Sequence, residues 1–564
     1  MMKVVIRNIL YTLLLPIVIF FFGLVLSFMF TLLLPGDPVL AYLPPSFTAE
    51  QYNAMLHQLG FDQPLIVQFF RYLGDVLTGN LGISGSISSG QPIIELLTAR
   101  IPRSIEYTIL PIVLGLIVGI LLGVLSVRVR YRVIKLLIQI LIILGISMPV
   151  FVVGMWSQYT LAFQLGLFPA IGDPFLPSGI LFILTLFLTT RQVRSNYFKK
   201  SEEKHILSNG LQIIFNTSVL IASIFLLEAT FGIHGFFELI IAAIHFYDYW
   251  LVRACVFILI GISAISLFLS NIIYTLYNYF NEERQVKIFA TCFGRNEQVV
   301  EEGARYGFDT DQKFKDFTLY RLKSPLTIIG LAIVVFTIIV AIFPQVLTPF
   351  SMQEASGIYL GSWDPPSPTH PLGQTRFGRD VLALLVYGVS TSIKVCILPV
   401  LVGIAIGASF GYLSKLHRWV KGLVLGFMIV LFIIPSVLVI ILFLSIVGGD
   451  ILVIMSIMAM YAIPCVTLII SKGNYSLKLT AKKLIAYFPL FVGFNILLFE
   501  AIGFLGFSPP QIITLGNSIS IARMHLYDAP WAFFWPGLAL FVLVMGFFTL
   551  HYGLKEPIPI IDNR

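Results

Sequence analysis

Long apolar segments recur along the whole chain, separated by short polar stretches. A helix of about twenty residues spans the roughly 30 Å hydrocarbon core of a bilayer. The pattern therefore predicts an all-α, polytopic membrane protein with about twelve transmembrane helices. The expected spans are residues 9–33, 106–127, 136–156, 176–190, 212–231, 251–279, 325–344, 384–412, 422–446, 451–471, 484–504 and 531–553.

Charge is sparse and is concentrated between the apolar segments. Of the 564 residues, 58% are hydrophobic and 11% are charged, which excludes a single soluble core. Most lysines and arginines fall in loops that are cytoplasmic if the N-terminus lies inside, such as RVRYRVIK (128–135) and KLHRWVK (415–421). We therefore expect both termini in the cytoplasm. The net charge of +8 then indicates topology and contact with lipid headgroups, with no role in nucleic-acid binding.

The first apolar segment follows MMKVVIRN, but its apolar run is too long for a secretory signal, so we expect a retained helix. The sequence contains no pattern typical of catalysis. The four cysteines are scattered, and the eight histidines lack paired ligand spacing. No G-x-x-x-x-G-K-[ST] phosphate loop occurs. We expect no enzyme activity, no metal and no cofactor bound by this chain itself.

A polar stretch at residues 281–317 divides the twelve segments six and six. The expected organisation is a first half over 1–280 with an extracytoplasmic segment at 36–105, a cytoplasmic linker over 281–318, and a second half over 319–564. The fifth segment of each half closes on a similar motif, LLEATFGIHGF (226–236) and LFEAIGFLGF (498–507). This similarity predicts a parallel repeat, with a path between two six-helix halves.

Two glutamates, Glu228 and Glu500, occupy matching places in these motifs. Each lies near the expected outer end of a helix. A carboxylate there either lines the outer mouth of a pathway or binds a helix end, where water and backbone donors are within reach. We favour the helix-end interpretation.

The expected external segments contain signs of folded structure. TAEQYNAMLHQLG (48–60) predicts a short helix with Thr48 as N-cap, Gln51 at its third position and Gly60 as its stop. HPLGQTRFGRD (370–380) places arginines outside, against the usual bias toward the cytoplasm. Arg376, Arg379 and Asp380 therefore form a predicted external platform, in which Arg379 and Asp380 are expected to make a local pair.

Long motifs occur in both halves. In the first they are PGDPV (35–39), LGFDQPLIVQFFRYLGDVLTGNLG (59–82), ISMPVF (146–151), LGLFPAIG (165–172) and EATFGIHGF (228–236). In the second they are RLKSPLTIIGL (321–331), HPLGQTRFGRDVLALLVYG (370–388), FEAIGFLGFSPP (499–510) and DAPWAFFWPGLAL (528–540). Together these resemble the two permease subunits of oligopeptide, dipeptide and nickel ABC importers, fused into one polypeptide.

The resemblance implies the type I ABC importer fold and a permease for peptides or a similar small solute in a prokaryotic plasma membrane. It implies two separate ATPase subunits that bind ATP and Mg²⁺. It also implies an extracytoplasmic solute-binding protein that docks on residues 36–105 and 345–383.

The cytoplasmic loops expected to contact the ATPases are short. They are RQVRSNYFKKSEEKH (191–205) and SKGNYSLKLTAKK (471–483), without the longer coupling helix of the family. HILSNG (205–210) resembles the end of the family loop. The predicted ATPase-coupling residues are Lys199, Lys200, Glu202, His205, Asn209, Lys482 and Lys483.

The shortened loops leave an alternative open, in which the chain keeps the permease fold as a non-transporting scaffold or receptor without ATPase coupling. A third hypothesis, transport driven by an ion gradient, is less favoured because the helices lack a buried acidic relay.

Overall fold

A computed structural model describes residues 17, 20–29, 32, 37–129, 131–198, 206–280, 322–359, 361–433, 439, 444, 450–471, 477–509 and 511–555. Helices dominate these residues, and the β-structure among them is limited to two isolated bridges. The all-α prediction is confirmed. The predicted linker at 281–318 lies outside the described residues, so the division into domains stays a prediction.

Ten helices are described before residue 281. They are α1 (Phe20–Met29), α2 (Ala49–Leu59), α3 (Leu65–Leu77), α4 (Ile93–Arg128), α5 (Arg132–Ser147), α6 (Val150–Ser157), α7 (Phe175–Phe198), α8 (Ile206–Phe231), α9 (Phe236–His245) and α10 (Tyr249–Phe280). α6 continues directly into a π-helical stretch, Gln158–Gln164.

Eight helices are described after residue 321. They are α11 (Pro325–Ile342), α12 (Met352–Ala355), α13 (Val381–Leu413), α14 (Arg418–Ile433), α15 (Ile451–Ser471), α16 (Leu477–Phe504), α17 (Leu515–Ala522) and α18 (Trp531–Lys555). Short 3-10 turns occur at Leu40–Tyr42, Pro344–Val346, Arg376–Gly378 and Arg523–His525.

Eight of these helices are long and apolar enough to cross a membrane. Two pairs, α5 with α6 and α8 with α9, meet the same criterion together but are bent by 90° and 80°. The described residues thus contain eight to ten candidate spans, which confirms a polytopic membrane protein. The other two predicted spans, 9–33 and 422–446, lie partly outside the described residues.

The predicted cytoplasmic loops are shorter than expected because helices extend into them. α7 continues to Phe198 and α16 begins at Leu477, whereas the sequence pattern placed loops at 191–205 and 471–483. RQVRSNYF and LKLTAKK contain neither proline nor glycine, so no residue in them breaks a helix. The predicted boundaries were wrong at these two points.

The short helix predicted at 48–60 is confirmed as α2. Thr48 and Gln51 form a reciprocal capping box, in which each side chain accepts from the other residue's backbone N–H. Gly60 ends the helix with φ +76°, a conformation that favours glycine. The segment outside the expected spans is therefore folded.

One helix pair in each part of the chain packs through glycines spaced four residues apart. α4 packs on α7, and α13 packs on α15. Small residues let helix backbones approach closely in membranes, where lipid tails provide no hydrophobic driving force. The glycines at these contacts are Gly115, Gly119 and Gly123 on α4, and Gly403, Gly407 and Gly411 on α13.

The two glycine contacts agree in detail. A Cβ added at Gly119 would lie 2.9 Å from a backbone carbonyl of α7, and one at Gly407 would lie 2.7 Å from a carbonyl of α15. Thr190 Oγ1 donates to the Gly119 carbonyl at 3.2 Å, and Thr467 Oγ1 donates to the Gly407 carbonyl at 3.0 Å. The second part of the chain therefore repeats the packing of the first. One large cluster of buried apolar side chains extends through both parts.

Candidate functional site

Glu228 is buried near the end of α8, and its carboxylate accepts hydrogen bonds from three donors. Oε1 accepts from Ser104 Oγ at 2.5 Å and from the Tyr107 hydroxyl at 3.1 Å, both on α4. Oε2 accepts from the backbone N–H of Glu238 at 2.7 Å, in the first turn of α9. The carboxylate therefore connects the bend between α8 and α9 to α4.

Glu500 is buried near the end of α16 in a matching arrangement. Oε1 accepts a short hydrogen bond from Ser392 Oγ on α13. Oε2 accepts from the backbone N–H of Gly516 at 2.5 Å, in the first turn of α17. A serine of the long helix and the N-terminus of the next short helix thus meet one carboxylate in each half.

Both glutamates satisfy orphan N–H groups at a helix N-terminus, where the helix dipole also favours negative charge. A buried carboxylate without such donors would be costly. The geometry favours the helix-end interpretation over a side chain lining an open mouth, because both side chains are fully covered.

A single arginine links the two glutamate sites. Arg523 follows α17, whose N-terminus is held by Glu500, and its guanidinium donates a short hydrogen bond to the carbonyl of Ala229, the neighbour of Glu228. Partial burial lowers the pKa of Arg523 below its usual value. The hydrogen bond crosses from the second half to the first.

Aromatic side chains form a second contact between the halves, here called the aromatic seam. It joins α6 and its π-helical extension to the C-terminal part of the chain. The ring pairs are Phe151 with Phe504 at 4.5 Å, Trp156 with Phe534 at 5.7 Å, and Tyr159 with Phe533 at 5.8 Å between centroids.

The first pair of the seam is completely enclosed. Phe151 is 0% exposed and Phe504 is 3% exposed, and their rings stack with an interplanar angle of 26°. Gly537 of α18 packs against Val152, the neighbour of Phe151, where an added Cβ would be 2.9 Å from that side chain. The halves are therefore in close contact at this level, and any path between them is closed here.

The loops that lead into the two long helices are closed in the same way. The N–H of the first residue of α4 donates to the Gly82 carbonyl at 3.0 Å, and that of α13 donates to the Gly373 carbonyl at 3.0 Å. A tryptophan packs against each glycine, Trp250 in the first half and Trp531 in the second. Both glycines have positive φ, +86° and +81°.

The predicted external platform lies at the second of these loops. Asp380 is the N-cap of α13 and accepts from the N–H of Ala383 at 2.7 Å. Its other oxygen lies 2.9 Å from Nδ1 of His370. Asp380 therefore stabilises the start of the helix.

The expected pair between Arg379 and Asp380 is wrong, since the described residues contain no ion pair between them. Arg379 Nε instead donates to the Gly357 carbonyl at 2.9 Å. The backbone of Arg379 is extended, so the side chains of Arg379 and Asp380 point to opposite sides. Partial burial lowers the pKa of Arg379. Arg376 lies over the ring of Phe377 at 4.5 Å.

Most of the predicted coupling residues lie outside the described part of the chain. Lys199, Lys200, Glu202 and His205 are among them. The backbone of Asn209 belongs to α8, but its side chain is outside the described residues. Lys482 and Lys483 lie in the first turns of α16 and are partly buried. Their role in coupling stays a prediction.

Sequence reasoning found the two glutamates but missed their partners. Ser104, Tyr107 and Ser392 had no distinguishing motif when taken singly. The signal that could have found the serines is the repeat itself, because Ser-Ile occurs at both places, with the serine eleven residues after the first residue of α4 and of α13. No sequence motif could have identified the contact of Arg523, because its acceptor is a backbone carbonyl, which every residue has.

Comparison with known proteins gives matches to membrane components of import systems. The family described as "Binding-prot-dependent transport system membrane comp, N-term" matches residues 1–102. The dipeptide transport system permease protein DppB of Lactococcus lactis subsp. cremoris is 28% identical over 187 residues, covering 32% of this chain and 60% of that protein.

Two further relatives carry related names. The dipeptide transport system permease protein DppC of Alkalihalophilus pseudofirmus is 26% identical over 261 residues, covering 42% of this chain and 85% of that protein. The glutathione transport system permease protein GsiC of Salmonella paratyphi A is 30% identical over 177 residues, covering 31% of this chain and 57% of that protein. The chain thus spans under two thirds of the DppB and GsiC relatives.

The fold defines the class of the protein, a multi-pass membrane protein. The chain is similar to permease proteins of peptide ABC transporters. Each match covers less than half of this chain, and both DppB and DppC proteins are among the relatives. The matches therefore support a fused peptide ABC permease.

Proposed function

We propose that this chain is the transmembrane permease of an ABC importer and carries both permease halves on one polypeptide. The observation that carries the proposal is the aromatic seam, where two parts with repeated helix packing meet. A solute would cross the membrane between the halves. Phe151 and Phe504 would then have to separate during each transport cycle, since they close the interface now.

The solute is a peptide or a similar small molecule. The relatives' names support this, because they refer to dipeptides, peptides and glutathione. The membrane is the plasma membrane of a prokaryote, with the N- and C-termini in the cytoplasm. This orientation follows the distribution of lysine and arginine.

Energy would come from two ATPase subunits that bind ATP and Mg²⁺, because the sequence contains no phosphate loop of its own. Lys482 and Lys483, in the first turns of α16, belong to the surface proposed for one ATPase. A second ATPase would contact residues 199–209.

A solute-binding protein would dock on the opposite side, on residues 36–105 and 345–383. Capped helices in both segments support this proposal. α2 is closed by Thr48 and Gln51, and α12 is closed by Ser351 and Glu354 in the same reciprocal arrangement. A partner would meet folded surfaces there.

Reconstitution in proteoliposomes tests the proposal. The chain would be combined with its candidate ATPases and binding protein, and ATP hydrolysis and uptake of a labelled dipeptide would be measured. We expect the binding protein to stimulate both. A chain that forms no complex with the ATPases and shows no stimulation would contradict transport and favour the scaffold alternative.

A variant of the aromatic seam sharpens the experiment. Phe151→Ala with Phe504→Ala removes the enclosed pair, so we expect ATP hydrolysis that depends less on the binding protein. Phe246→Ala is a suitable control, because Phe246 is 64% exposed and lies outside the seam. Unchanged stimulation in the double variant would contradict the assignment of the seam as the gate.

A further inference from the structure

A cavity of about 150 Å³ lies between α1, α3 and α10. Its lining combines apolar side chains, among them Phe28 of α1, with two arginines, Arg71 and Arg253, and one carboxylate, Asp75. The lining therefore has an excess of positive charge. None of these residues takes part in the glutamate sites or the aromatic seam.

Arg253 is buried in this cavity without a salt bridge to a described residue, and Asp75 of the same lining attracts it from beyond salt-bridge distance. The residue is 8% exposed, and its guanidinium lies 3.6 Å from the ring centroid of Trp250 and 4.2 Å from that of Tyr72. Among the described residues it makes no hydrogen bond and no ion pair. The guanidinium thus lies over both rings, and its N–H groups still need acceptors. A buried cation of this kind is costly unless a counter-charge is present.

Trp250 supplies an unsatisfied donor beside Arg253. Its indole N–H is buried and has no acceptor in the described part of the chain. The corresponding tryptophan of the second half, Trp531, donates to the Gln374 carbonyl at 3.0 Å. Of these two equivalent tryptophans, only Trp250 thus has an indole N–H without an acceptor among the described residues.

The surroundings of the cavity are suited to lipid. α3 packs along α1, with the Tyr72 hydroxyl 2.7 Å from Ser27 Oγ and the Phe69 ring 5.5 Å from that of Phe28. The other side of α3 exposes large apolar side chains, which are Leu65, Ile66, Phe70 and Leu77. α1 is an apolar helix within the expected span 9–33, and a helix that packs on a span and exposes such residues is typical of the bilayer interface.

We propose that this cavity binds the phosphate group of a phospholipid headgroup from the leaflet next to α3. Arg253 provides a guanidinium fixed between two rings, and Arg71 provides a second positive charge at the more exposed side of the cavity. The acyl chains lie along α1 and the apolar side of α3. The proposal rests on the membrane location of the chain and is independent of transport.

Native mass spectrometry of the full-length protein, purified in detergent, tests this site. The probes are phosphatidylglycerol, diacylglycerol without phosphate, and inorganic phosphate alone. We expect one tightly retained phosphatidylglycerol on the unmodified protein and at least tenfold weaker retention on Arg253→Gln and on Arg71→Gln. Arg103→Gln is the matched control, because Arg103 is exposed on α4 outside the cavity. Diacylglycerol should not be retained.

The results separate the possible occupants. Equal retention of phosphatidylglycerol by the unmodified protein and the Arg71 variant would overturn the proposal. Thermal stabilisation by inorganic phosphate as large as that by the lipid would overturn the lipid source and assign the site to a free anion. If Arg253→Gln does not fold, the Arg71 variant decides, since Arg71 is exposed and its one hydrogen bond within the described residues is a 3.4 Å contact to the Gln58 carbonyl.

Discussion

The loops that lead into α4 and α13 contain the same contact between a glycine and a tryptophan, but the residues next to the two tryptophans in space differ. Trp250 covers Gly82 in the first half, and Trp531 covers Gly373 in the second. Three residues after the first tryptophan is Arg253, which lines a cavity, whereas three residues after the second is Phe534, which belongs to the aromatic seam. The repeated backbone thus supports a buried charge in one half and apolar contact between halves in the other.

The glutamate sites differ in a similar way. Ser104 and Ser392 hold equivalent places, but three residues later the first half has Tyr107 and the second has Val395. Glu228 therefore accepts a hydrogen bond that Glu500 lacks. The backbone packing is repeated, while the number of donors at each carboxylate is not.

The largest effect is expected from removing these carboxylates. Glu228→Ala leaves three donors without an acceptor, whereas Glu500→Ala leaves only the Gly516 N–H, because Ser392 Oγ also lies 2.7 Å from the Gly388 carbonyl. Each unsatisfied buried group costs about 1–3 kcal/mol. Thermal unfolding of the purified variants should show the larger loss for Glu228→Ala. Glu228→Gln and Glu500→Gln are controls that keep one acceptor oxygen. Equal losses in the two halves would contradict the role of Tyr107.

The glycine contacts should give the next largest effect, and an equal one in both halves. Gly119→Val and Gly407→Val place a side chain against a backbone carbonyl, so each is expected to cost about 1–3 kcal/mol of folding free energy. Folded yield and thermal unfolding would be measured by size-exclusion fluorescence. Gly261→Val is the matched control, because an added Cβ there meets nothing within 4 Å. A loss in only one half would break the equivalence of the two helix pairs.

The two tryptophans should respond differently to the loss of the indole N–H. Trp531→Phe removes the hydrogen bond to Gln374, which is worth about 0.5–1.5 kcal/mol. Trp250→Phe removes a donor without an acceptor in the described residues, so a smaller change is expected in lipid-free detergent. Thermal unfolding of both variants under the same conditions measures the difference. An equal or larger loss for Trp250→Phe would show that its N–H is already satisfied.

The smallest effect concerns the two capping boxes. The backbone N–H of Ser351 donates to Glu354, which lowers the pKa of that carboxyl, whereas α2 uses the uncharged Gln51. A depressed carboxyl pKa stabilises the folded helix above the unfolded pKa, and this is lost as pH falls through the folded pKa. Hydrogen exchange, corrected for intrinsic rates, should therefore show opening of α12 in acid. α2 should not change, and Glu354→Gln should remove the dependence on pH.

The sequence predicted the helical fold and most spans because long apolar segments and helix-ending residues are local features. Thr48, Gln51 and Gly60 were assigned correctly for that reason, since a capping box involves neighbours in the chain. The helix ends at Phe198 and Leu477 were misplaced because hydropathy marks where the membrane begins, and a helix can continue beyond it.

The partners in the candidate site could not be predicted in the same way. Arg379 and Asp380 are adjacent in sequence, but one contacts Gly357 and the other caps a helix. The contact of Arg523 with the Ala229 carbonyl joins residues that are far apart in the chain. Such contacts depend on how the halves pack, which no local pattern contains.

The glycine contacts have a mechanical consequence. A helix whose backbone touches its neighbour's carbonyls cannot slide by one turn without forcing bulkier residues into the same narrow gap. The pair of α4 with α7 and the pair of α13 with α15 should therefore each move as a rigid unit. Rearrangement of the protein would then consist of tilting these helix pairs, with the bends of 90° and 80° acting as hinges.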